Sequence, residues 1–309
     1  MSTVDGTAEQ AAFLGELLDR GLLLATGVPG VYGRGATFEE IRLRFDERVS
    51  RAFQAEPTES MHFPPVLPRH QLETTDYLKS FPQLAGTVFA FGGSEAQAAE
   101  QQERAHDHRD WSAYQSMTDL VLMPAACYPV YPALAARGPL PASGVSVDPG
   151  AAYVFRHEPS GDPARMQMFH MRELVRVGGP AEVVSWRDAW LDRALSLLRA
   201  IGLDAEPDIA TDPFFGRGGR MLAASQREQA LKIEIQVEIC GPGPTAIASF
   251  NCHQDHFAAK YGITLAGGGE AHTACLGFGH ERIVLALLHT HGFDPEAWPS
   301  AVRRELWER

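Results

Sequence analysis

An arginine stands in the first turn of an expected buried helix near the end of the chain. Arg282 follows the segment Cys275-Leu-Gly-Phe-Gly-His-Glu and precedes six consecutive apolar residues, 283–288. A buried guanidinium is costly unless an anion or a carboxylate meets it, and the free N–H groups of a helix start attract anions. The segment therefore indicates either a polyphosphate site or a structural ion pair between Arg282 and a carboxylate.

A second group of charged residues lies in a predicted β-hairpin. Residues 151–158 and 165–177 have the composition of two strands, joined by a turn-rich segment. Their period-two faces carry a set of side chains that is unusual for a core sheet: Arg156, Glu158, Arg165, Phe169 and Glu173. Ion pairing could explain one arginine–glutamate pair, but so polar a face favours a functional site.

The composition limits the class of protein. The chain has 309 residues, 45% hydrophobic and 21% charged, as in ordinary globular proteins, and its formal net charge is -12. That acidity argues against a nucleic-acid partner, whose phosphates need clustered Lys and Arg, but it allows a local basic pocket for a small anion. Four scattered cysteines, no apparent signal peptide and no apolar run of membrane-spanning length predict a soluble, cytoplasmic protein with reduced thiols.

The remaining elements must position these residues. Helices are predicted at 9–24, at 183–203, at 253–261 and from an N-cap at Thr37 with Glu40 in the capping-box position. Strands are predicted at 120–127, 231–239 and 246–252, an edge segment at 61–68, a solvated helix or loop at 93–110 and a basic loop at 214–220. Hairpin and meander order without βαβ units predicts one α+β domain with an antiparallel sheet backed by helices.

Three segments resemble the motifs of the class II aminoacyl-tRNA synthetases. Phe155-Arg-His-Glu158, a loop and Arg165-Met-Gln-Met-Phe169 resemble motif 2, and Gly277-Phe-Gly-His-Glu-Arg282 with the apolar helix resembles motif 3. The helix near residue 41 and Phe63-Pro-Pro65 resemble motif 1, the dimer interface of that class. The segments 248–252 and 272–273 are similar to the core of the seryl-tRNA synthetases.

The resemblance covers residues 115–290 and implies the class II fold, an antiparallel sheet flanked by helices. It implies a single domain over 1–309, in which 1–110 holds N-terminal helices and the motif 1-like dimer region, and 115–290 is the catalytic core. A homodimer is therefore expected.

The resemblance also implies a role in ATP-dependent amino-acid activation for each residue of motifs 2 and 3. Arg156 would hold the α-phosphate and the amino-acid carboxylate, and Glu158 would accept a hydrogen bond from the adenine amino group. Arg165 and Arg282 would hold the β- and γ-phosphates, while Phe169 and Arg282 would sandwich the adenine ring. Since two anionic reactants must meet, cationic positioning and charge stabilisation would supply most of the catalysis.

Cys275 occupies a position where motif 3 usually has glycine. In this fold Cys127, Glu173 and Cys275 would converge on the amino-acid pocket, where Asn251 also lies. Two thiolates and a carboxylate leave one tetrahedral position free on Zn²⁺. Resemblance to the methanogen-type seryl-tRNA synthetases implies that the substrate amine takes that position; the alternative is three unrelated buried residues.

The expected magnesium ion of ATP lacks one familiar ligand. The seryl enzymes carry a carboxylate just before the segment that corresponds to 248–252, but this chain reads Pro244-Thr-Ala-Ile there. Glu238 or Ser249 would have to substitute. Cys240 and Cys252 are expected to be plain core or pocket-wall residues.

The chain shows no sustained heptads or other tRNA-binding arm before the core. With the acidic balance and the expected zinc site, this resembles the amino acid:[carrier protein] ligases. That family implies activation of a small amino acid, glycine or alanine, and its transfer to the phosphopantetheine thiol of a carrier protein, with no tRNA. The alternatives are a reduced seryl-type enzyme that charges RNA, and a non-catalytic paralogue that binds amino acid or nucleotide as a regulator.

Overall fold

The structure, a computed structural model, describes residues 7–308. Its strands are β1 (Leu23–Ala25), β2 (Tyr32–Arg34), β3 (Glu59–Ser60), β4 (Val66–Pro68), β5 (Thr87–Phe91), β6 (Gln115–Leu122), β7 (Val145–Asp148), β8 (Ala151–Phe155), β9 (Met168–Gly178), β10 (Glu206–Ile209), β11 (Lys232–Val237), β12 (Thr245–Gln254) and β13 (His272–Gly279). Its α-helices are α1 (Ala8–Asp19), α2 (Ala36–Phe53), α3 (Arg69–Thr74), α4 (Tyr77–Ser80), α5 (Glu95–His106), α6 (Val130–Ala135), α7 (Pro180–Ala200), α8 (Gly216–Glu228), α9 (His256–Tyr261), α10 (His280–His291) and α11 (Ser300–Trp307). Within 7–308, none of these helices is long and apolar enough to cross a lipid bilayer.

The central sheet runs in the order β10-β11-β12-β13-β9-β7-β3, and β8 pairs with β9 beside this path. Its strand pairs are antiparallel except for the short parallel pair of β3 and β7. Two smaller antiparallel sheets are formed by β1 and β2, and by β4, β6 and β5. The predicted α+β fold with an antiparallel sheet and helices is confirmed.

Both faces of the central sheet are covered, so β13 is buried along nearly its whole length. Phe250, Leu276 and Phe278 belong to the large core that the sheet forms with α2, α7 and α10. Side chains alternate along a strand, so Asn251 and Cys275 point to the opposite face, on which the α6 and α9 residues pack. The alternation separates the hydrophobic core from the polar face that bears the candidate site.

Several helix boundaries differ from the prediction: α7 lies three residues earlier at both ends, α9 begins at His256 rather than at 253, and α1 and α2 differ for a visible structural reason. Helix α1 ends at Asp19 rather than at 24, because Gly21 adopts the left-handed conformation (φ 64°) that turns the chain into β1. Helix α2 has Gly35, not Thr37, at its N-cap, so the predicted capping box with Glu40 is wrong. A Cβ at position 35 would lie 1.9 Å from the carbonyl oxygen of Gly21, and this close approach requires glycine.

The predicted basic loop at 214–220 is also wrong, because helix α8 begins at Gly216. Gly219 packs directly against Phe214, where a Cβ would lie 2.7 Å from the Phe214 carbonyl carbon. The missing side chain of Gly219 thus permits this close packing. Nearly all described side chains of α8 are exposed, including Met221 at 77%.

Glu56, in the segment after α2, holds α7 in place through its carboxylate. It accepts hydrogen bonds from the indole N–H groups of Trp186 (2.8 Å) and Trp190 (3.3 Å), and from the hydroxyl of Ser146 (3.0 Å). Glu56→Ala would leave these donors without their acceptor, so we expect the free energy of unfolding to fall by about 1–3 kcal/mol. Urea denaturation monitored by tryptophan fluorescence measures this loss.

Glu47→Ala is the matched control for Glu56→Ala. Glu47 lies on the exposed side of α2, and among residues 7–308 it pairs only with Arg44, at 3.4 Å. Exposed ion pairs contribute little, so this change should stay within about 0.5 kcal/mol of wild type. Equal losses in the two variants would contradict the role given to Glu56.

Candidate active site

The candidate site is built on one face of three neighbouring strands, β12, β13 and β9. The register places Asn251 opposite Cys275, and Gly277 opposite Glu173. Directly opposed residues of an antiparallel pair point to the same side, so these positions share one surface. A Cβ at Gly277 would lie 2.7 Å from the Met171 side chain and 3.3 Å from that of Glu173, so glycine leaves room for both.

Three potential ligand groups meet on this surface. One ligand atom each from Cys127, Glu173 and Cys275 lies within 4.8 Å of the others, and the three residues are 4%, 2% and 5% exposed. Cys127 comes from the turn before α6, since β6 ends at Leu122 rather than continuing to 127 as predicted. Pro124 cannot donate a ladder hydrogen bond, which favours this earlier end.

The backbone fixes the carboxylate of this cluster. The amide N–H groups of Ala126 and Cys127 donate to the two Glu173 oxygens, at 3.0 and 2.9 Å. Burial, together with the nearby Cys275 sulfur, raises the pKa of Glu173 to about 7. The Cys127 thiol and the facing His253 and Asn251 lower the pKa of Cys275, and the resulting thiolate raises the pKa of Cys127.

The donor set fits a thiophilic cation. Two sulfurs and one carboxylate oxygen surround a common point, and no Lys or Arg pairs with Glu173 in the part of the chain described. Burial and the Cys275 sulfur raise the pKa of Glu173, and the same sulfur raises the pKa of Cys127, so an added positive charge would help the three groups to ionise together. Such S/S/O sites with one open position suit Zn²⁺.

A cavity of about 450 Å³ adjoins the cluster. Its lining includes Arg156, Ser249 and Asn251 as well as the three cluster residues. Further walls come from the segment 75–84 and from α8, which contributes Leu222, Ser225 and Gln226. This volume is large enough for a small ligand held by a few polar groups.

Arg156 lies just beyond the end of β8 and faces this cavity. Its backbone N–H donates to the Gln167 carbonyl at 2.9 Å, and its Nε donates to the Pro124 carbonyl at 3.4 Å. Its guanidinium carbon lies 5.6 Å from the centre of the Phe169 ring. In the described chain no carboxylate pairs with it, so its charge is available to an anionic ligand.

Arg282 enters the site from the first turn of α10. Its Nε donates to the Ala164 carbonyl and its Nη1 to the Ala246 carbonyl, both at 2.8 Å, and no carboxylate of residues 7–308 pairs with it. The structural ion pair considered for Arg282 is therefore not formed. Burial lowers the pKa of Arg282, as do the charges of Arg156 and Arg165, so three cations converge on this region.

A small second cavity lies beside Arg282. Its lining residues are Pro163, Ala164, Met166, Phe169, Gly279, Glu281 and Arg282. The guanidinium and the Phe169 ring thus border one space, but its volume of about 10 Å³ is too small for a planar base. Glu281 is itself engaged, because its carboxylate accepts from the His170 backbone at 2.8 Å and from Arg34 at 2.7 Å.

Glu158 and Arg165 lie in the hairpin loop and not in its strands. Strand β8 ends at Phe155 and β9 begins at Met168, so the two-residue periodicity used to orient these side chains does not apply to them. The two side chains nevertheless form an ion pair across the loop, with Arg165 Nη1 3.7 Å from Glu158 Oε1. Arg165 is 57% exposed, and its side chain is free to move toward a ligand.

The structure separates Glu238 from the other predicted ATP-binding residues. Strand β11 ends at Val237, and Glu238 is exposed and lines neither cavity. Ser249 does line the larger cavity, and the register places Glu234 directly opposite it. Strand β11 ends one residue before Glu238, so the alternation that was expected to place Glu238 on the same face as Ser249 does not extend to it.

His253 is a site residue that the sequence-based prediction missed. Its Nε2 lies 3.6 Å from the Cys275 sulfur, and its side chain lines the larger cavity. A histidine inside the segment Asn251-Cys-His-Gln254 carries no ligand-spacing signal. Its contact with Cys275 depends on an irregularity of β12 that strand periodicity does not reveal.

Two known proteins are similar to this chain over nearly its whole length. No protein-family model matches the chain. The amino acid–[acyl-carrier-protein] ligase 2 of Bradyrhizobium diazoefficiens is 47% identical over 301 residues, covering 97% of this chain and 89% of the relative. The amino acid–[acyl-carrier-protein] ligase 1 of the same organism is 46% identical over 299 residues, covering 96% of this chain and 91% of the relative.

A solved structure shares the fold. The SerRS of M. kandleri, in complex with A. aeolicus tRNASec, matches with a TM-score of 0.78 at 20% identity. The match covers 99% of this chain and 61% of that one. The predicted class II aminoacyl-tRNA synthetase-like fold is thereby confirmed.

Proposed function

The chain belongs to the amino acid–[acyl-carrier-protein] ligases, and on that premise we propose that it activates glycine or alanine with ATP and transfers it to the phosphopantetheine thiol of a carrier protein. One observation carries the choice of an amino acid as the substrate. Arg156 and the buried set Cys127, Glu173 and Cys275 line one cavity, so an α-carboxylate and an α-amine can be held together there.

In the first step the amino-acid carboxylate attacks the α-phosphorus of ATP. A carboxyl oxygen–phosphorus bond forms, the bond from the α-phosphorus to the bridging oxygen breaks, and pyrophosphate leaves. Arg156 neutralises the two reactants as they meet, and Arg165 and Arg282 take up the charge of the leaving pyrophosphate. Phe169 and Arg282 hold the adenine, with Glu158 accepting from its amino group.

Zn²⁺ is the proposed occupant of the cluster, held by Cys127, Glu173 and Cys275. When bound, it would supply positive charge to the two thiolates and the carboxylate and an open position for an amine. Asn251 supports the site from outside, since its amide donates to the Cys275 sulfur at 3.6 Å. A cytoplasmic location is part of the proposal, because the cysteines are unpaired and must stay reduced.

Mg²⁺ is proposed to accompany the triphosphate. Ser249 and Glu234 stand opposite each other on the cavity side of the sheet and are better placed for it than Glu238. Glu234 Oε1 is already 3.0 Å from the ammonium of Lys232, so the Glu234 carboxylate would have to contact both Lys232 and Mg²⁺. Oxygen ligands and triphosphate oxygens are the ligands that this ion prefers.

In the second step the thiol of the prosthetic arm attacks the carbonyl carbon of the aminoacyl-adenylate. A carbon–sulfur bond forms, the bond to the phosphate oxygen breaks, AMP leaves, and the thiol proton passes to AMP or to water. The nucleophile belongs to the partner. None of the four buried cysteines of this chain is needed for that role.

We place the carrier protein on α8. This helix forms one wall of the cavity, and its other surface exposes Met221 and Arg220. If the phosphopantetheine arm of the carrier enters along α8, its anionic phosphodiester passes the exposed Arg220. Met221→Glu should therefore slow transfer by about 10–100-fold while leaving pyrophosphate exchange unchanged.

Val184→Glu tests α7, a second helix with an exposed apolar side chain, as the alternative docking surface. Val184 is 37% exposed on α7. Steady-state transfer to a holo-carrier protein is measured for both variants. If Val184→Glu slows transfer and Met221→Glu does not, the carrier docks on α7 instead.

A homodimer through the motif 1-like region is also proposed. Leu43, on the outer side of α2, is 46% exposed although its neighbours Phe38, Ile41 and Phe45 are fully buried in the core. Light scattering of the full chain should give twice the mass of one chain. Leu43→Glu should shift it toward the monomer.

Pyrophosphate exchange with single amino acids tests the proposed substrate. Glycine or alanine should support exchange better than serine. The proposed contacts hold the α-amine and the α-carboxylate, and a serine hydroxyl would gain no assigned hydrogen-bond partner. Preferred exchange with serine would favour the seryl-type alternative. No exchange with any amino acid would favour the non-catalytic paralogue.

A further inference from the structure

His253 is brought to the site by a β-bulge. Cys252 pairs with Ala274 and Gln254 pairs with Thr273, so His253 is an extra residue of β12 without a partner in register. Gln254 follows with a positive φ of 53°, which is unusual for a residue other than glycine. Bulges and such backbone outliers are frequent where a side chain must be re-aimed at a functional site.

The bulge directs the imidazole at one thiol of the cluster. Nε2 of His253 lies 3.6 Å from the Cys275 sulfur, while Nδ1 lies 3.1 Å from the Thr273 hydroxyl and 3.5 Å from the Tyr131 hydroxyl. The Phe257 ring packs edge-on against the imidazole, with 4.9 Å between centroids. Both ring nitrogens thus have polar partners, and these contacts fix the orientation of the imidazole ring.

The contacts assign the proton of the imidazole. A thiolate that ligates a cation can only accept a hydrogen bond, so Nε2 must carry the proton and donate it to the Cys275 sulfur. Nδ1 must then accept, and the Thr273 hydroxyl is the nearer donor. His253 itself stands outside the set of ligand atoms that lie within 4.8 Å of one another, so its role is to hold a ligand.

We infer that His253 is a positioning residue for Cys275: its Nε2–H orients the sulfur for metal binding and so fixes the place of the amino-acid amine. The inference rests on the proposed metal site. Asn251, which lies on β12 like His253, donates to the same sulfur at 3.6 Å, so two N–H donors from one strand hold one thiolate. Outer partners of this kind are known to orient metal ligands and to strengthen metal binding.

His253→Leu in the full chain removes the donor and keeps most of the volume. We expect zinc affinity, measured by competition with a chromogenic chelator, to fall about 10–100-fold. The KM for the amino acid should rise while the KM for ATP stays unchanged. In the Co²⁺-substituted protein, the sulfur-to-cobalt absorption bands should shift.

Two further variants keep the inference testable if His253→Leu folds poorly. His253→Gln places an N–H at about the reach of Nε2 and should recover most of the lost affinity. Thr273→Val removes the hydroxyl that holds Nδ1 as an acceptor and should weaken zinc binding less than His253→Leu does. His106→Leu, which changes an exposed histidine of α5 that lines neither cavity, should alter neither affinity nor KM.

The outcomes distinguish the inference from its premise. Wild-type protein without zinc would overturn both the metal site and the role of His253. Wild-type protein with zinc, but His253→Leu with equal affinity and an unchanged cobalt spectrum, would overturn only the inference. Equal damage by His253→Leu and His253→Gln would also overturn it, because packing and not donation would then be responsible.

Discussion

Arg282→Ala is expected to lower amino-acid-dependent pyrophosphate exchange by at least about 10³-fold while the protein stays folded. The Arg282 guanidinium has no carboxylate partner in the described chain, and Arg156 and Arg165 lie close enough to depress its pKa. Two backbone carbonyls hold it in place, so it is oriented before ATP arrives. Removing such a preorganised charge removes stabilisation of the pyrophosphate leaving group.

The control for Arg282→Ala must separate catalysis from stability. Arg282 also donates to the carbonyls of Ala164 and Ala246, and their loss should cost about 1–3 kcal/mol. Arg199 likewise donates to a backbone carbonyl, that of Ala205, at the far end of α7. Arg199 is about half exposed, so Arg199→Ala should lose at most this much stability and should keep full exchange. Near-wild-type exchange in Arg282→Ala would refute its phosphate role.

Cys275→Ser is expected to weaken zinc binding by more than about 100-fold, since a ligand should matter more than its outer partners. A serine hydroxyl is a poor ligand at neutral pH, where a thiolate is a strong one. The KM for glycine or alanine should rise accordingly, because the amine loses its anchor. Elemental analysis of the dialysed protein gives the metal content directly.

Cys252→Ser is the matched control for Cys275→Ser. Cys252 is equally buried, at 5% exposure, and lines the same cavity, but it lies outside the cluster. It should retain zinc and a wild-type KM for the amino acid. Full metal occupancy in Cys275→Ser would remove this residue from the proposed site.

Sequence patterns were sufficient for only part of the site. The run of apolar residues after Arg282 places that residue at the start of α10, and β12 was predicted at 246–252, whereas β13 was not predicted. Asn251 and Cys275 were assigned to the site through the resemblance. Convergence of Cys127, Glu173 and Cys275 required the resemblance to a known fold, because these residues come from three separate elements. Their grouping within 4.8 Å agrees with that expectation, whereas zinc itself stays a prediction.

Irregular backbone limited the prediction elsewhere. Periodicity assigned Glu158 and Arg165 to strands, although both lie in a loop whose shape depends on contacts with Arg156 and Gln167. It likewise could not place His253, since a one-residue bulge changes which side chains share a face. The start of α2 at Gly35 depended on a close approach to Gly21, which is distant in sequence and is seen only in three dimensions.

Transfer of a labelled amino acid tests the central claim most directly. The full chain, ATP and labelled glycine or alanine are incubated in parallel with holo-carrier protein, with the same carrier lacking phosphopantetheine, and with bulk tRNA. We predict label on the holo-carrier alone, released by hydroxylamine as a thioester requires. Label on tRNA with none on the holo-carrier would contradict the account.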